Sequence, residues 1–519
     1  MVENLSEGKP PSLLEKIIQK RGLSIESLEA GLEALPDEAL LANIEKCAAR
    51  IKKAMYENEP LVIFGHDDPD GITSAYILYQ FFNTCGFQNH RYFIPNRNVE
   101  PYGIQDSLVN FVKEGNYHLV ITVDNGIASF EGVEKLNQIG CETLITDHHL
   151  IQPDKIPNAY TIVNPHLPSS TYPYKMLAGV GVVLMLIRYL GRELEYDITP
   201  DYYFWTAVGS IADRVPMTDV NRIIVRYAFQ HWQELKDSTF EFLVPYYGPI
   251  ETYSDIYELI QYLVRLLSNG REENGENAAL RFLLETNGEK EKLFYHLDSL
   301  KNQSETELAK VYNFLDTLTT GFEGSAFIYF DDEGIIPYHL LGAAASYIAG
   351  KFGVPTLIMK LHNSEIVCEG RCNEGFNLVE AFTFCKEHLK QYGGHAKAAG
   401  FSLEPEKYDS FLECFHQYLD ENCPEPVTNL KIEPDAVVSL EELNEQNWLS
   451  LELLLPYGQD HPEPCFLIKD TTLMELQSKF QVDINGFNFP DNIKGDVLVS
   501  WISPRVLKVL SFTETSSIA

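Results

Sequence analysis

Four short stretches of this 519-residue chain combine acids and imidazoles in patterns that suit metal-assisted chemistry. His66-Asp67-Asp68-Pro69-Asp70-Gly71 follows the apolar run Leu61 to Gly65, and Val123-Asp124-Asn125-Gly126 ends the run from Leu119. Thr146-Asp147-His148-His149 follows Cys141 to Ile145, and Gly209-Ser210-Ile211-Ala212-Asp213 follows an apolar stretch through Trp205 to Val208. A turn or capping aspartate accounts for any one of these, because Asp beside Gly or Pro is ordinary turn chemistry. Four on a common edge are not explained that way, since unpaired carboxylates packed together repel unless a cation binds them. Asp oxygens mixed with imidazoles, and no thiolate, suit Mn²⁺ or Mg²⁺ better than a structural zinc site. About four carboxylates offset the charge of two divalent ions, and two ions roughly 3.5–4 Å apart activate a water and stabilise the leaving oxygen of an in-line displacement. The chemistry expected is phosphoester hydrolysis.

Positioning such groups together takes a framework, and the chain reads as one. Strands are expected at Leu61 to Gly65, Tyr92 to Ile94, Leu119 to Val123, Cys141 to Ile145 and Tyr160 to Val163. Helices are expected at Ile72 to Phe82, Gln105 to Lys113, Phe130 to Gln138 and Met176 to Leu190. Alternation of this kind gives an α/β fold with a mostly parallel sheet covered by helices. In such sheets ligands collect at the carboxyl ends of the strands, where the acids lie. Ahead of this region, Leu40, Leu41, Ile44, Cys47, Ala48 and Ile51 recur at helical spacing, so residues 1–57 read as a helical segment.

In order and spacing, the His66 to Gly71 turn, Val123 to Ile127, Asp147-His148-His149 and Gly209 to Pro216 together resemble the four motifs of the DHH phosphoesterases. Within that superfamily the chain resembles the RecJ-type single-strand exonucleases. The resemblance implies Asp68, Asp70, Asp124, His148 and Asp213 as ligands of two Mn²⁺ or Mg²⁺ ions. His66 is implied as a further ligand, standing where many RecJ-type sequences have Asp and other members His. Asp124, His148 and His149 are the expected catalytic residues, with His149 on the scissile phosphate and Asp147 orienting the imidazoles.

The same resemblance extends along the chain. Leu267-Ser268-Asn269-Gly270-Arg271 partly matches a segment usually reading Asn-Ala-Ala-Gly-Arg, which makes Arg271 a candidate phosphate contact through paired hydrogen bonds. Leucines and valine spaced from Leu293 to Leu318 predict a long helix over Glu289 to Leu318, implied to join two α/β lobes. In the second lobe, strands are expected at Ser325 to Phe330 and Thr356 to Met359, flanking a helix over Leu340 to Phe352. Tyr392 to Phe401 contains Gly393-Gly394-His395 and resembles the Gly-Gly-His motif of the DHH-associated domain, where paired glycines admit an anion close to backbone amides. Arg371 sits in Glu369-Gly370-Arg371-Cys372, which resembles a segment normally reading Ser-Gly-Arg-Ser. Here both serines are replaced, and Glu369 sets negative charge beside a proposed phosphate contact. His339 matches a family histidine at the head of its helix, and a structural role accounts for it equally well.

Beyond the proline-bearing hinge Cys423-Pro424-Glu425-Pro426, short strands at Phe466 to Ile468, Phe480 to Ile484 and Val497 to Ile502 suit a small OB-like β-barrel. Leu455-Pro456-Tyr457-Gly458 with Pro462-Glu463-Pro464 resembles the RecJ-type segment leading into that barrel. Phe480, Phe487, Phe489 and Trp501 are either base-stacking platforms or core residues. The domains expected are a helical segment at 1–57, a DHH catalytic α/β domain at 58–220 and a helical region with the long helix at 221–320. A DHH-associated substrate-binding domain at 321–422 and an OB-like domain at 427–519 complete them.

Composition bounds the rest. With 75 acidic against 40 basic residues the formal net charge is −35, which argues against nonspecific nucleic-acid binding as the main activity. It does not exclude a polyanionic substrate, because bound cations invert the local field. Nine cysteines without a disulfide framework or zinc spacing suit a reducing cytoplasm. No apolar run reaches the length of a membrane span and Met1 to Ser12 is polar, so a soluble cytoplasmic protein with no membrane association is expected, and a monomer. The partner implied by resemblance is single-stranded nucleic acid, DNA favoured over RNA, cut 5′ to 3′ in repair or recombination, alongside single-strand-binding or helicase proteins. Two alternatives stay open: a phosphodiesterase for short RNA or cyclic dinucleotides, and a non-catalytic replication scaffold.

Overall fold

The computed structural model describes residues 11–151, 155–286, 288–373, 375–422, 433–484 and 493–514. They fall into two compact units, one built from Asp37–Ile198 and Tyr262–Leu430, the other from Met1–Pro36, Thr199–Gln261 and Lys431–Ala519.

The first unit holds two sheets. Strands β1 (Leu61–Phe64), β2 (His90–Phe93), β3 (Leu119–Val123), β4 (Glu142–Thr146) and β5 (Thr161–Val163) form an all-parallel sheet in the order β2-β1-β3-β4-β5. Every residue of β1, β3 and β5 is buried, as expected of parallel strands covered on both faces. Val62, Phe64, Val120 and Ile145 share a core with Leu108, Val112, Val133 and Leu136 of the helices Asp106–Glu114 and Phe130–Gln138. The helices Pro69–Thr84 and Gly179–Leu194 pack on one another and on β3. Strand order reverses between β1 and β3, so a crevice opens at their carboxyl ends, the position where open α/β sheets bind ligands.

The second sheet comprises β6 (Phe327–Phe330), β7 (Thr356–His362), β8 (Glu365–Arg371), β9 (Gln391–His395) and β10 (Ala398–Leu403), in the order β6-β7-β8-β10-β9. Only β6 and β7 are parallel; the remaining pairs are antiparallel. The helix Lys290–Leu318 runs 29 residues, about 43 Å at 1.5 Å per residue. Its distal residues Val311 and Leu315 enter one core with Leu341, Ala344 and Ile348 of the helix Leu341–Phe352. The expectation of no disulfide framework is corrected at one pair: Cys385 and Cys414 form a disulfide, with Cα atoms 5.8 Å apart. Packing of the helix Tyr408–Asn422 brings them together across 29 residues of sequence.

In the second unit, β11 (Ala436–Val438), β12 (Cys465–Thr471), β13 (Gln481–Asp483), β14 (Gly495–Ser503) and β15 (Val506–Glu514) pair in the order β11-β12-β14-β15-β13. No pairing among the described residues joins β11 to β13, so a closed OB-like barrel stays a proposal. Phe480 and Trp501 are buried in this sheet's core beside Phe466 and Leu507, which removes them as stacking platforms. Phe487, Phe489 and the Cys423 to Pro426 hinge lie outside the described residues. Leu13 and Ile17 of the helix Leu13–Arg21 enter the same core, and Arg21 pairs with Asp435 at 2.6 Å. The helix Ile44–Glu57 belongs to the other unit; Asn43, at φ 67°, separates it from Leu40 and Leu41, which were expected on the same helical run.

His90 gives the first unit an acid limit. It is 1 % exposed, and burial, with the charge of Arg91, pushes its imidazole down to about 4. The unfolded chain therefore binds a proton near pH 6.5 that the folded chain refuses until about 4, so stability is full above 6.5 and falls as the pH drops toward 4. Denaturant midpoints measured from pH 7 to 4 should decline, and His90→Gln should flatten part of that slope whatever it does to the stability at pH 7.

Candidate metal centre

The carboxyl ends of β1, β3 and β4 deliver the expected groups to one place. After β1 the chain turns through Asp68, whose Oδ1 accepts the Gly71 amide at 3.0 Å and caps the helix that Pro69 opens. Gly71 is required here, since a Cβ at this position would stand 2.4 Å from that of His66. After β3, Asp124 sits at φ 57°, a left-handed conformation that costs a non-glycine residue on the order of 1–3 kcal/mol and recurs at functional sites. The Asp124 amide donates to Thr146 O at 3.0 Å, so β4 holds this bend in place.

Side-chain distances define the cluster. His66 Nδ1 lies 2.8 Å from Asp68 Oδ2 and 3.8 Å from Asp124 Oδ2. His148 Nε2 lies 3.2 Å from Asp124 Oδ1 and 3.9 Å from Asp70 Oδ2. Asp124 is thereby placed between both imidazoles, one at each carboxylate oxygen. Asp70 has a second duty: its Oδ2 and Oδ1 accept the amides of Gly179 and Val180 at 2.7 and 2.8 Å, fixing the start of the helix Gly179–Leu194. At Gly179 itself a Cβ would come within 2.5 Å of the Asp124 carboxylate. Sequence reasoning missed this glycine, although the run Leu177-Ala178-Gly179-Val180-Gly181 marks a close approach.

Two observations fit a divalent cation to these residues. His66 Nδ1 is buried without a hydrogen bond although Asp68 Oδ2 is 2.8 Å away, an arrangement of two donors facing a shared third partner. The protonation states also match. Burial, reinforced by the neighbouring His149, pushes His148 down to about 4, against the pull of Asp70 and Asp147. The imidazole is neutral at pH 7 and keeps a lone pair. Asp68 is pressed upward by burial but held well below the usual carboxylate range by His66 and Arg97.

Asp147 is wholly engaged in orientation. Its Oδ1 accepts from His149 Nδ1 at 2.7 Å and from the amides of His148 and His149 at 2.7 and 3.1 Å, while Oδ2 accepts the Ile127 amide at 2.9 Å. It fixes the ring of His149 directly and that of His148 through the backbone. With Nδ1 so occupied, His149 turns Nε2 away from Asp147. The strand β9 brings His395 within ring-centroid distances of 5.5 Å of His148 and 5.6 Å of His149, the latter nearly parallel at 16°. Burial and the other imidazoles push His395 down to about 3, so it too is neutral at pH 7. Gly394, at φ 124°, has no room for a Cβ, which would meet Ala398 O at 2.5 Å.

The arginines stand in ion pairs. Arg271 Nε donates to Asp67 Oδ2 at 2.8 Å, and its Nη1 to Ser268 O. Arg97 Nε donates to Asp67 Oδ1 at 2.6 Å, and Arg97 Nη1 to the Tyr102 hydroxyl at 3.0 Å. Tyr102 stacks on His66 with centroids 5.1 Å apart and planes at 12°. Burial presses the Asp67 carboxyl upward, but Arg97, Arg271 and His66 together hold it down at about 2. Asp67, Arg97 and Tyr102 were given no role by sequence reasoning; the only signal was that Pro95-Asn96-Arg97 follows a strand ending on the same edge. Arg371 pairs with Glu369 at 3.0 Å. His339 lies 3.8 Å from Glu307 of the long helix, a structural contact.

Asp213 belongs to the other unit. It caps the carboxyl end of the helix Pro200–Ala212, so the apolar stretch Trp205 to Val208 is helical.

A family model described as DHH family, N-terminal domain, matches residues 60–209, and one described as DHHA1 domain matches residues 327–421. The single-stranded-DNA-specific exonuclease RecJ of Bacillus subtilis is 28% identical over 84% of this chain, which spans 55% of that relative. The protein of the same description from Salmonella typhimurium is 28% identical over 88% of this chain and 83% of its own length. Thermus thermophilus RecJ, solved with Mn²⁺, superimposes with a TM-score of 0.77 over 97% of this chain and 76% of that one, at 23% identity, a likeness in fold. No helix among the described residues is long and apolar enough to cross a membrane.

Proposed function

The chain belongs to the DHH family, and from that premise we propose that it is a metal-dependent exonuclease acting on single-stranded DNA, with 5′ to 3′ polarity. The observation that carries this reading is the meeting of His66, Asp68, Asp70, Asp124 and His148 at the crevice of a parallel sheet, with His148 held neutral by burial and Asp68 held ionised at pH 7. Those five residues would hold Mn²⁺ or Mg²⁺, with Asp213 proposed as a sixth ligand from its motif. When bound, two such ions supply water activation and charge stabilisation for phosphodiester hydrolysis.

The remaining residues bind and orient. Asp147 fixes the His149 ring at Nδ1, and its Nε2 is the atom proposed to meet a phosphate oxygen, donating to it when the ring carries its second proton. His395, stacked on His149, and the backbone of Gly393 and Gly394 support the same strand. Arg271 and Arg371 steer phosphates from positions set by Asp67 and Glu369. Residues 58–220 are proposed as the catalytic domain, 321–422 as the substrate-binding domain and 427–519 as an accessory barrel. Single-strand-binding or helicase proteins are the proposed partners.

The test is cleavage by protein stripped with a chelator. It should be inert until Mn²⁺ is added, then degrade single-stranded DNA in preference to single-stranded RNA, dinucleotides and cyclic dinucleotides. Cleavage confined to dinucleotides, or none with any divalent ion, overturns the proposal.

A further inference from the structure

We propose that Tyr102 is a positioning residue: its ring, stacked on His66, holds that imidazole in the orientation of a metal ligand and so favours Mn²⁺ over Mg²⁺ at the centre. This rests on the metal-centre reading above and adds to it the residue that makes one ligand effective.

An imidazole serves a metal ion well only while its ring is held in place. Ordinarily the second ring nitrogen does this by donating to a carboxylate or a backbone carbonyl. His149 shows the arrangement, with Nδ1 on Asp147 at 2.7 Å. His66 is held differently. Its Nδ1 faces Asp68 and Asp124 at 2.8 and 3.8 Å, which leaves Nε2 as the nitrogen to be anchored. Asp67 Oδ1 lies 3.9 Å from that Nε2, beyond hydrogen-bond reach, and already accepts from Arg97 Nε at 2.6 Å.

Tyr102 covers the ring instead. The two ring centroids are 5.1 Å apart and the planes 12° from parallel, an offset stack. Any twist of the imidazole out of its plane drives an edge into the tyrosine face, so the stack restrains the direction in which Nδ1 points.

The tyrosine is itself tied down. Its hydroxyl accepts from Arg97 Nη1 at 3.0 Å, the same guanidinium lies 5.6 Å from the ring centroid, and its carbonyl accepts from Gln105 Nε2 at 2.8 Å. The next residue, Gly103, has φ 85°, and a Cβ there would stand 2.5 Å from Ser129 Oγ, the atom that accepts the Ile104 amide at 3.1 Å. Only glycine allows that approach. Burial does not account for the placement, because Tyr102 is 52% exposed while the His66 side chain beneath it is 11% exposed. A ring left half in water yet fixed at its hydroxyl, its carbonyl and the following turn is placed for what its covered face touches.

The choice of ion follows from donor chemistry. An imidazole nitrogen binds a first-row transition ion better than it binds Mg²⁺, a hard cation that takes oxygen. Loosening His66 therefore weakens Mn²⁺ binding more than Mg²⁺ binding.

The experiment titrates the full chain, stripped with a chelator, with Mn²⁺ and separately with Mg²⁺, by calorimetry. Tyr102→Leu and Tyr102→Met, which keep bulk and remove the flat face, should each weaken Mn²⁺ binding about tenfold, the scale of losing a ligand's support, and Mg²⁺ binding by much less. Tyr102→Phe keeps the face and should stay near the parent. In a His66→Asp background no imidazole remains to be stacked, so Tyr102→Leu should change neither affinity. Parental Mn²⁺ affinity in Tyr102→Leu and Tyr102→Met overturns the inference, as does equal weakening of both ions or an effect that persists beside His66→Asp. A raised KM for single-stranded DNA with Mn²⁺ affinity unchanged also overturns it, since the ring then serves the strand and not the ligand. Each of these failures leaves the metal-centre reading standing, whereas a parent that binds no divalent ion overturns both together.

Discussion

Asp124→Asn and Asp124→Ala should each lower metal-dependent cleavage by at least ~10³-fold, equivalent to about 4 kcal/mol in the barrier. Asp124 faces both imidazoles: one of its oxygens is 3.2 Å from His148 Nε2 and the other 3.8 Å from His66 Nδ1. Removing its charge takes from the site half of one divalent cation's compensation. The asparagine variant is the cleaner of the two, because Asn tolerates the left-handed backbone at φ 57° better than Ala does. It keeps the fold, so its melting temperature without divalent ions should match the parent, while the rise in melting temperature on adding Mn²⁺ should shrink. Activity within tenfold of the parent in both variants would remove Asp124 from the centre.

The residues that were legible share a physical property: their neighbours are close in sequence or follow a simple period. Strand β3 and the helix Phe130–Gln138 have the bounds expected of them, since one is an unbroken apolar run and the other a regular amphipathic pattern. His66, Asp68, Asp124 and His148 could be grouped in advance because parallel strands send their ends to a common edge. The approach to Asp213 stayed unassigned, because a short apolar run such as Trp205 to Val208 reads alike in a buried helix and a buried strand. Pro200 at the helix start was the available corrective. Pairings across long separations left no trace: Asp67 meets Arg97 across 30 residues and Arg271 across 204. Cys385 and Cys414, 29 apart, were invisible for the same reason. For Phe480 and Trp501, aromatic character was equally consistent with a core and with a binding face, and only packing separated the two.

Asp67→Ala should be the most destabilising single change at this edge, costing about 3–5 kcal/mol, the range for a buried ion pair that loses one partner. Asp67 is 1 % exposed and accepts from Arg97 Nε at 2.6 Å, the Arg97 amide at 3.1 Å and Arg271 Nε at 2.8 Å. Without it two guanidiniums face each other with no carboxylate between them. Asp67→Asn keeps one acceptor oxygen and should cost less. The carboxyl is depressed from 3.8 to about 2, so its contribution is complete above pH 4 and is lost as the pH falls through about 2. The destabilisation by Asp67→Ala, read from denaturant midpoints, should therefore be constant from pH 7 to 5 and narrow below 4. Adding Arg271→Ala to Asp67→Ala should restore part of the loss, because one unpaired cation is removed. If the double variant is no more stable than Asp67→Ala alone at pH 7, the two arginines are not competing for that carboxylate, and Arg271 is free to bind phosphate without it.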